Sequence, residues 1–263
     1  MIQLSNISKI FNGGTHNAKT VIKGLNLNIE KNDFVTIIGS NGAGKTTLFN
    51  LISGNMFPTN GTVSVGNKDV TDDAEYKRAK YIGRIFQDPL LGTASTMTLE
   101  DNMMITYKKG FKWLKISLNR KKRSFFKKEL LQLNMGLENR LKENVSLLSG
   151  GQRQALTLLM TVLSKPEIIL LDEHTAALDP RNASIVMDLT AKFIEQHSLT
   201  TMMITHNMQH AIDYGNRLLM MDGGEVIIDV KGEEKKQLTV EKLIAMFNDI
   251  RKKDFENDEV LLA

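Results

Sequence analysis

The stretch Gly39-Ser40-Asn41-Gly42-Ala43-Gly44-Lys45-Thr46-Thr47 fits the pattern G-x-x-x-x-G-K-[ST] at every fixed position. An apolar, β-branched run at 34–38 precedes it and predicts a buried strand, and residues 46–52 follow with helical spacing. Glycines allow a positive φ, so backbone N–H groups can turn toward an anion, and a helix start adds partial positive charge. The stretch therefore predicts a phosphate-binding loop, in which Lys45 reaches the β- and γ-phosphates and the Thr46 hydroxyl binds Mg²⁺. The alternative is a glycine-rich turn before an ordinary helix.

Composition restricts the class of protein. The chain has 263 residues, enough for one large domain or two small ones, and its 41% hydrophobic content is ordinary for a globular protein with a substantial core. It has no cysteine, which excludes disulfides, thiolate metal sites and a cysteine nucleophile. The sequence from Met1 lacks a basic region followed by a long apolar core, so we expect no signal peptide. No run approaches the roughly 18 apolar residues that span a bilayer, so we expect neither a channel nor a permease.

Hydrophobic periodicity predicts the remaining elements. Residues 1–30 are predicted to form an antiparallel β-region, because Leu25, Leu27 and Ile29 alternate with polar residues. Phe11 lies just before a loop, and spacing alone favours a core or edge aromatic there. Further strands are predicted at 62–65, 81–86, 201–205, 218–221 and 225–230, and helices at 72–80, from about 98, at 180–197 and at 238–249. The segment from Arg251 is expected to be frayed or dependent on a partner.

Two carboxylates end a continuous apolar run. The sequence Ile168-Ile169-Leu170-Leu171-Asp172-Glu173 predicts a central parallel strand that ends at Asp172. A carboxylate at that position can hold Mg²⁺ through water, as phosphate-transfer sites require. Glu173 is then a candidate base for a hydrolytic water. The alternative is two acids that cap a helix.

Gln87 and His206 also follow predicted strands. The carboxyl ends of parallel strands are the usual location for ligand contacts in α/β folds, so both side chains are candidates for such contacts. Without other support Gln87 would be a surface-loop residue, and a lone histidine such as His206 is more often structural than catalytic.

The pentapeptide Leu148-Ser149-Gly150-Gly151-Gln152 opens a predicted helix that runs to about residue 163. Ser149 and Gln152 have capping-box spacing, and the two glycines leave the N–H groups of the first turn uncovered. The segment is either a plain helix cap or a second helix N-terminus that binds an anion. The five residues alone leave both interpretations open.

A basic tract lies at 108–128. It holds ten lysines and arginines and no acidic residue, interleaved with phenylalanine and tryptophan, in a chain whose net charge is only +4. Three interpretations compete: a solvated helical surface, a contact with anionic lipid head groups, and nucleic-acid binding. Nucleic acid is the least favoured, because no recognition module accompanies the charge.

In this order and at compatible distances, these motifs resemble the nucleotide-binding subunit of ATP-binding cassette (ABC) transporters across essentially the whole chain. The pentapeptide at 148–152 is the signature of that family. The resemblance implies an α/β fold, a P-loop NTPase with a RecA-like core, an antiparallel β-subdomain and an inserted α-helical subdomain near 90–160. It implies a nucleotide-binding domain at 1–250 and a C-terminal tail at 251–263. In that family two copies sandwich two ATP molecules head to tail, and each site takes the phosphate loop of one copy and the signature helix of the other.

The resemblance also implies which residues contact ATP. Phe11 would stack on adenine, and Val21 would flank it. The phosphates would be wrapped by Gly39, Ser40, Asn41, Gly42, Ala43, Gly44, Lys45, Thr46 and Thr47. The γ-phosphate bound to the opposite subunit would be held by the signature residues Ser149, Gly150, Gly151 and Gln152. Asp179 would cross the dimer interface.

Catalytic and metal roles follow from the same resemblance. Asp172 would serve Mg²⁺ together with Thr46, and Glu173 would polarise water. Gln87 would contact Mg²⁺ or the attacking water and sense the membrane partner, and His206 would grip the γ-phosphate.

Three positions depart from the family pattern. His174 stands where a proline is common, and Phe11 replaces the commoner tyrosine. The usual glycine before the phosphate-loop strand is absent from Glu30-Lys31-Asn32-Asp33. None of these changes removes a catalytic group.

The resemblance implies the cofactors ATP and Mg²⁺ and a set of partners. These are a second ATP-binding subunit, with a homodimer favoured, an integral-membrane permease and a solute-binding protein, without nucleic acid. The expected location is the cytoplasmic face of the plasma membrane. The basic insertion and the sequence Asp-Glu-His-Thr-Ala-Ala-Leu-Asp at 172–179 look like ATPases of bacterial amino-acid-type importers, although fold does not settle cargo. The alternative function is a soluble cassette ATPase that drives cofactor assembly or remodelling.

Overall fold

The computed structural model of the chain describes residues 1–107 and 118–261, and the side chains of 1–107 and 118–250. It divides into two compact units, one made of Met1–Asp72 and Met202–Ala263 and the other of Asp73–Thr201. The strands are β1 (Ile2–Phe11), β2 (Lys19–Ile29), β3 (Phe34–Gly39), β4 (Asn60–Val65), β5 (Lys68–Asp69), β6 (Ile82–Ile85), β7 (Ile168–Asp172), β8 (Thr201–Ile204), β9 (Arg217–Asp222) and β10 (Glu225–Lys231). The α-helices are α1 (Lys45–Ser53), α2 (Glu75–Arg78), α3 (Leu99–Tyr107), α4 (Arg120–Leu131), α5 (Gly150–Leu163), α6 (Pro180–His197), α7 (Met208–Asp213), α8 (Gly232–Lys236) and α9 (Val240–Leu261).

The first unit contains an antiparallel sheet with the strand order β2-β1-β4-β5. Ile2 pairs with Ile29 on one side and with Val65 on the other, and both neighbours run antiparallel to β1. Buried residues alternate with exposed ones along the second half of β2, where one face covers the core and the other meets solvent. This sheet confirms the predicted antiparallel region at 1–30.

The phosphate-loop strand β3 lies in a second set of strands of the first unit, in the order β10-β9-β3-β8. It runs parallel to β9, and residues 34–38 are all buried, which explains their continuous apolar sequence. The turn before β3 contains Asn32 at φ 68°, a left-handed conformation that asparagine tolerates better than most side chains. Asn32 therefore supplies the backbone freedom that the missing family glycine would give.

A buried lysine closes the end of α7 in the first unit. Lys235 is 4% exposed, and its Nζ donates to the carbonyls of Ile212, Tyr214 and Gly215 at 2.8, 2.6 and 2.9 Å. Burial lowers the pKa of Lys235 to about 8, while the nearby Asp213 carboxylate opposes that change. The ammonium thus satisfies carbonyls at the helix end that have no partner within the helix.

The second unit holds the parallel pair β6–β7 and the helices α2 to α6. Residues 168–171 of β7 are buried, as the apolar run predicts. Helix α5 packs against α3, α4 and α6. Thr98 caps the start of α3, because the Asp101 N–H donates to Thr98 Oγ1 at 3.2 Å. Helices α3 and α4 and most of α5 occupy the range 90–160, and the subdomain and domain boundaries stay predictions.

Two predicted helices have different lengths in the structure. The helix predicted at 72–80 is only the single turn α2, because the fully buried Arg78 turns back to donate to Asp73 O and Tyr81 N bonds to Arg78 O at the start of β6. The helix predicted to end at 249 continues to Leu261 in α9, because residues 250–261 contain neither glycine nor proline to stop it. Residues 262 and 263 lie outside the described residues. Within that described part, no helix combines the length and apolar character needed to cross a bilayer.

Candidate functional site

The phosphate loop connects β3 to α1 in the first unit. Gly39 has φ 152°, and a Cβ at this position would lie 2.1 Å from the Met221 carbonyl oxygen of the neighbouring strand. Gly44, the N-cap of α1, has φ 98°, and a Cβ there would lie 2.7 Å from Ile22 Cδ1 and 3.0 Å from Val21 O. Both positions therefore require glycine, so the loop fits a backbone cradle for phosphate.

Lys45 lies against the backbone of this loop. Its Nζ donates to the carbonyls of Gly39 and Ser40 at 2.7 and 2.9 Å, and the residue is only 6% exposed. Thr46, the next residue, is exposed, so its hydroxyl can reach a metal ion. The Ser40 hydroxyl donates to Asp222 Oδ1 at 2.7 Å, a contact that the sequence does not reveal because the residues are 182 positions apart.

The candidate adenine contacts lie on the paired strands β1 and β2 of the antiparallel sheet. Val21 contributes the carbonyl that lies beside Gly44, so the structure brings it to the phosphate loop. Phe11 ends β1 and is partly exposed, and the Lys9 ammonium lies 5.5 Å from its ring centroid. The exposed face of the Phe11 ring can stack on a base, and the nearby Lys9 ammonium can attract an anion.

His206 is exposed two residues after β8. The preceding residue is tied to the phosphate-loop strand, because Thr205 N donates to Ile37 O at 3.1 Å. His206 therefore leaves the sheet at the edge from which the phosphate loop also departs, as predicted for a ligand contact.

In the second unit, Asp172 has a partner that sequence reasoning missed. Arg84 Nη2 lies 3.1 Å from Asp172 Oδ2, and these side chains are only 10% and 13% exposed. The Arg84 guanidinium also lies 4.7 Å from the Phe86 ring centroid. Among the described residues there is no group of three or more histidine and carboxylate side chains that could hold a metal ion. An oxygen-donor site for Mg²⁺ at Asp172 would therefore need further ligands from water and nucleotide phosphates, as is usual for this ion.

Glu173 has an unusual backbone. Its φ is 50°, a left-handed conformation that costs a residue other than glycine about 1–3 kcal/mol and persists only where the surroundings enforce it. Its carbonyl accepts from Ala176 N at 2.9 Å, so the chain turns directly after β7. Strained residues of this kind cluster at functional sites, which agrees with a catalytic role for this carboxylate.

His174 is buried, with only 2% of the residue exposed. Its Nε2 lies 3.1 Å from Thr190 Oγ1, and that hydroxyl gives its own hydrogen to Val186 O at 2.7 Å. The hydroxyl must therefore accept, which assigns the Nε2–H donor to His174. The histidine that replaces the family proline thus ties the segment after Glu173 to α6.

The signature segment forms the predicted capping box. Gln152 N donates to Ser149 Oγ at 3.3 Å, and Ser149 N donates to Gln152 Oε1 at 3.2 Å. Arg140 Nη1 adds a contact to the same Gln152 oxygen at 3.3 Å. Ser149 and Gly150 are exposed, so the start of α5 can meet another molecule.

Asn182 joins the signature helix to Asp179. A Cβ on Gly151 would lie 2.8 Å from Asn182 Cγ, so glycine is needed for α5 to approach α6. Asp179 is the N-cap of α6, and its carboxylate accepts from Asn182 Nδ2 at 2.6 Å and from Asn182 N at 3.1 Å. These two bonds lower the pKa of Asp179, the side-chain amide contributing more than the backbone.

Gln87 is exposed just after β6, and the residue before it contacts a side chain that the sequence did not single out. Gln154 Nε2 donates to Phe86 O at 3.1 Å and to His174 O at 2.6 Å. No local pattern could have indicated this residue, because it is the last of three consecutive polar residues, Gln152, Arg153 and Gln154, and nothing in the sequence distinguishes it from the other two.

The basic tract is described only in part. Residues 108–117 lie outside the described residues, and α4 covers most of the remainder. Arg123 is bound to the Glu100 carboxylate at 2.8 and 3.0 Å, whereas Lys121, Lys127 and Lys128 are exposed. The choice between a solvated surface and a lipid contact stays open.

A cavity of about 580 Å³ in the first unit lies away from the phosphate loop, between α7 and the start of α9. Lys235, Asp213 and Glu241 are among its lining residues. The three hydrogens of the Lys235 ammonium are all directed to carbonyls, so this cation does not offer an anion site.

Several known proteins are similar to this chain. Residues 22–176 match the family model described as ABC transporter. The chain is 43% identical over 248 residues to a tyrosine transport ATP-binding protein of Clostridioides difficile (strain R20291), covering 94% of this chain and 98% of that protein. It is 32% identical over 257 residues to the methionine import ATP-binding protein MetN 1 of Bacillus thuringiensis subsp. konkukian (strain 97-27), covering 95% of this chain and 73% of that protein.

Two solved structures share the fold. One is a dimeric ATP-binding cassette in a post-hydrolysis state with ADP and Pi, with a TM-score of 0.70 and 29% identity over 88% of this chain and 98% of that one. The other is the ADP conformation of an ATP-binding cassette of an ABC transporter, with a TM-score of 0.74 and 26% identity over 94% and 98%. The predicted fold class, a P-loop NTPase with an antiparallel sheet, is thereby confirmed.

Proposed function

This chain belongs to the ABC transporter family, and we propose that its ATP hydrolysis drives the import of an amino acid or a similar small solute. It is an ATPase subunit that energises a transporter by converting ATP and water to ADP and phosphate. The assignment of nucleotide binding rests on the phosphate loop, where a Cβ at Gly39 or Gly44 would collide with neighbouring atoms and prevent the observed backbone conformation. The cargo rests on the likeness to the tyrosine transport protein, which spans nearly the whole of both chains.

In this proposal the first unit binds the nucleotide. The backbone N–H groups of 39–47 surround the phosphates, and Lys45 exchanges its bonds to neutral carbonyls for bonds to phosphate oxygens, which are stronger because both partners are then charged. Phe11 and Val21 hold the adenine from strands β1 and β2. His206 contacts the γ-phosphate from the segment that follows β8.

The second unit supplies the hydrolytic groups. Asp172 and Thr46 are the proposed protein donors for Mg²⁺, which when bound with ATP would neutralise charge that develops on the phosphates. Glu173 accepts a proton from the attacking water as general base, and Gln87 orients that water or the metal. The left-handed φ of Glu173 supports separate roles for Asp172 and Glu173. Successive side chains of a regular strand point to opposite faces of the sheet, and the turn at Glu173 releases its carboxylate from that alternation.

We further propose that a second copy of the chain completes each site. Ser149, Gly150, Gly151 and Gln152 would hold the γ-phosphate of the ATP bound to the other copy, and Asp179 would lie at the interface. The exposure of Ser149 and Gly150 supports the first role, because the N-terminus of a helix attracts anions, and the exposure of Asp179 leaves this carboxylate accessible to a second copy. The dimeric state of the related cassette with ADP and Pi supports it independently.

The remaining partners are an integral-membrane permease and a solute-binding protein, and the proposed location is the cytoplasmic face of the plasma membrane. The names of the tyrosine transport and the methionine import ATP-binding proteins support this assignment. The alternative, a soluble cassette ATPase for cofactor assembly, predicts no connection with solute uptake.

Uptake in intact cells tests the proposal. Cells that lack the gene for this chain should take up one radiolabelled amino acid, among tyrosine, phenylalanine and methionine, more slowly. The wild-type gene and the matched control Glu195→Gln, an exposed glutamate of α6, should restore uptake, whereas Glu173→Gln should not. Normal uptake of all three amino acids in the deletion strain would contradict this choice of cargo.

A further inference from the structure

We propose that Gln154 is a positioning residue for ATP hydrolysis, because its amide joins the backbone before Gln87 to the backbone after Glu173. The inference rests on the proposed roles of those two side chains. Gln154 itself contacts neither water nor phosphate in this account.

The amide of Gln154 is buried and donates two bonds. Gln154 lies on α5, five residues after the cap Ser149, and is 1% exposed. Its Nε2 donates to Phe86 O at 3.1 Å and to His174 O at 2.6 Å. A primary amide nitrogen has two hydrogens, so both are used.

These two carbonyls lie just beyond the end of the strand ladder. The parallel pairing of β6 with β7 ends at Ile85 and Leu171, so the sheet no longer fixes the relative position of the segments that follow. The Gln154 amide provides a further cross-link there, one residue before Gln87 and one residue after Glu173. It therefore sets the distance between the backbones that carry the two proposed catalytic side chains.

The oxygen of the same amide supports a role for the two bonds that its nitrogen donates. Gln154 Oε1 is buried and has no hydrogen-bond partner among the described residues. An unpaired buried oxygen is unfavourable, so an apolar side chain would be the better choice if the position only filled space. The strained φ of Glu173 also needs its surroundings to be fixed, and the bond to the next carbonyl does that directly.

The position on α5 adds a route for coupling. The first turn of this helix carries the signature residues, and Gln154 lies one turn further along. Since Gln154 bonds to both segments, a shift of α5 would move the backbone at Gln87 and at Glu173 together. The partner subunit's nucleotide, held by the signature turn, would thereby influence hydrolysis at this subunit's own carboxylate.

Steady-state kinetics with a matched pair of variants tests the inference. Gln154→Met keeps the length of the side chain and removes both donors. Thr157→Val is the control, because Thr157 lies three residues later on the same helix, is 4% exposed and donates only to Arg153 O within the helix in the bonds described. The kcat of Gln154→Met should fall about 10- to 100-fold, the scale of a misplacement near 1 Å, while KM for ATP changes less than about twofold. The control should keep both values.

Rates are to be divided by the fraction of protein that binds a fluorescent ATP analogue, so that lost folding does not count as lost catalysis. If Gln154→Met does not fold, Gln154→Glu decides the question. A protonated buried carboxyl donates one bond and a carboxylate none, so its kcat relative to wild type should fall as the pH rises from about 6 to 8. A pH-independent ratio close to one would overturn the inference.

Glu173→Gln is measured in parallel to separate the two proposals. If it retains full turnover, the proposed function of Glu173 is wrong. If it loses turnover while Gln154→Met keeps the wild-type kcat, only the positioning role is wrong. A rise in KM with unchanged kcat in Gln154→Met would also contradict that role.

Discussion

Replacing both partners of the ion pair between Arg84 and Asp172 is expected to destabilise the protein by less than the sum of the two single substitutions. The two atoms lie 3.1 Å apart in a largely buried setting. At an effective dielectric constant of about 20, the Coulomb attraction at this separation is about 5 kcal/mol. Desolvation of both ions offsets most of it, but removal of one partner leaves the other charge buried and costs about 3 kcal/mol.

The double-mutant cycle consists of Arg84→Met, Asp172→Asn and their combination. Each single variant should lower the free energy of unfolding by about 3 kcal/mol, and the double variant should lose about 2 kcal/mol less than the sum, as expected for residues in contact. Urea denaturation followed by circular dichroism, without nucleotide or Mg²⁺, measures these values. Additivity within about 0.5 kcal/mol would refute the reasoning, because it would mean that the pair does not interact.

Three further outcomes are expected. Glu173→Gln should lower kcat by about 10²-fold or more while keeping the binding of a fluorescent ATP analogue, and full turnover would contradict its role as general base. Gly151→Ala should lower the free energy of unfolding by about 1–3 kcal/mol, because its Cβ would overlap Asn182, whereas Gly150→Ala, with its nearest neighbour at 3.3 Å, should change it much less in thermal denaturation. For Lys235, the folded pKa near 8 lies below the ordinary 10.5, so the unfolded chain binds more protons between these values. The stability of wild type relative to Lys235→Met should therefore increase as the pH rises from about 8 to 10, and a constant difference would contradict the lowered pKa.

The parts of the site that sequence could predict are those held by local geometry. The phosphate loop and the capping box at 149–152 each depend on residues within one turn, so their spacing suffices. The strands at 34–38 and 168–171 were recognisable because burial on both faces leaves continuous apolar runs. Asn32 shows the limit of comparing a sequence with a family pattern position by position, since a residue other than the expected glycine supplies the same left-handed turn.

The parts that could not be predicted depend on distant pairs or on missing stop signals. Arg84 and Asp172 are 88 positions apart and meet only through the pairing of β6 with β7, and Gln154 lies 68 positions from Phe86 and meets it only because α5 packs against β6. The end of α9 was placed too early, because amphipathic periodicity weakens after residue 249 while helix propensity does not. Assignment of catalytic roles to Glu173, Gln87 and His206 stays a prediction until the kinetics are measured.

The Asn182 side chain constrains how three positions of the sequence can evolve. It packs against Gly151 on one side and donates from Nδ2 to Asp179 on the other, so positions 151, 179 and 182 cannot vary independently. A larger residue at 151 would need a smaller one at 182, and that replacement would remove the bond from Nδ2 to Asp179 and leave only the bond from the backbone N–H. The three positions are thus expected to be inherited as a set, and a lineage that alters one of them should carry changes at the other two.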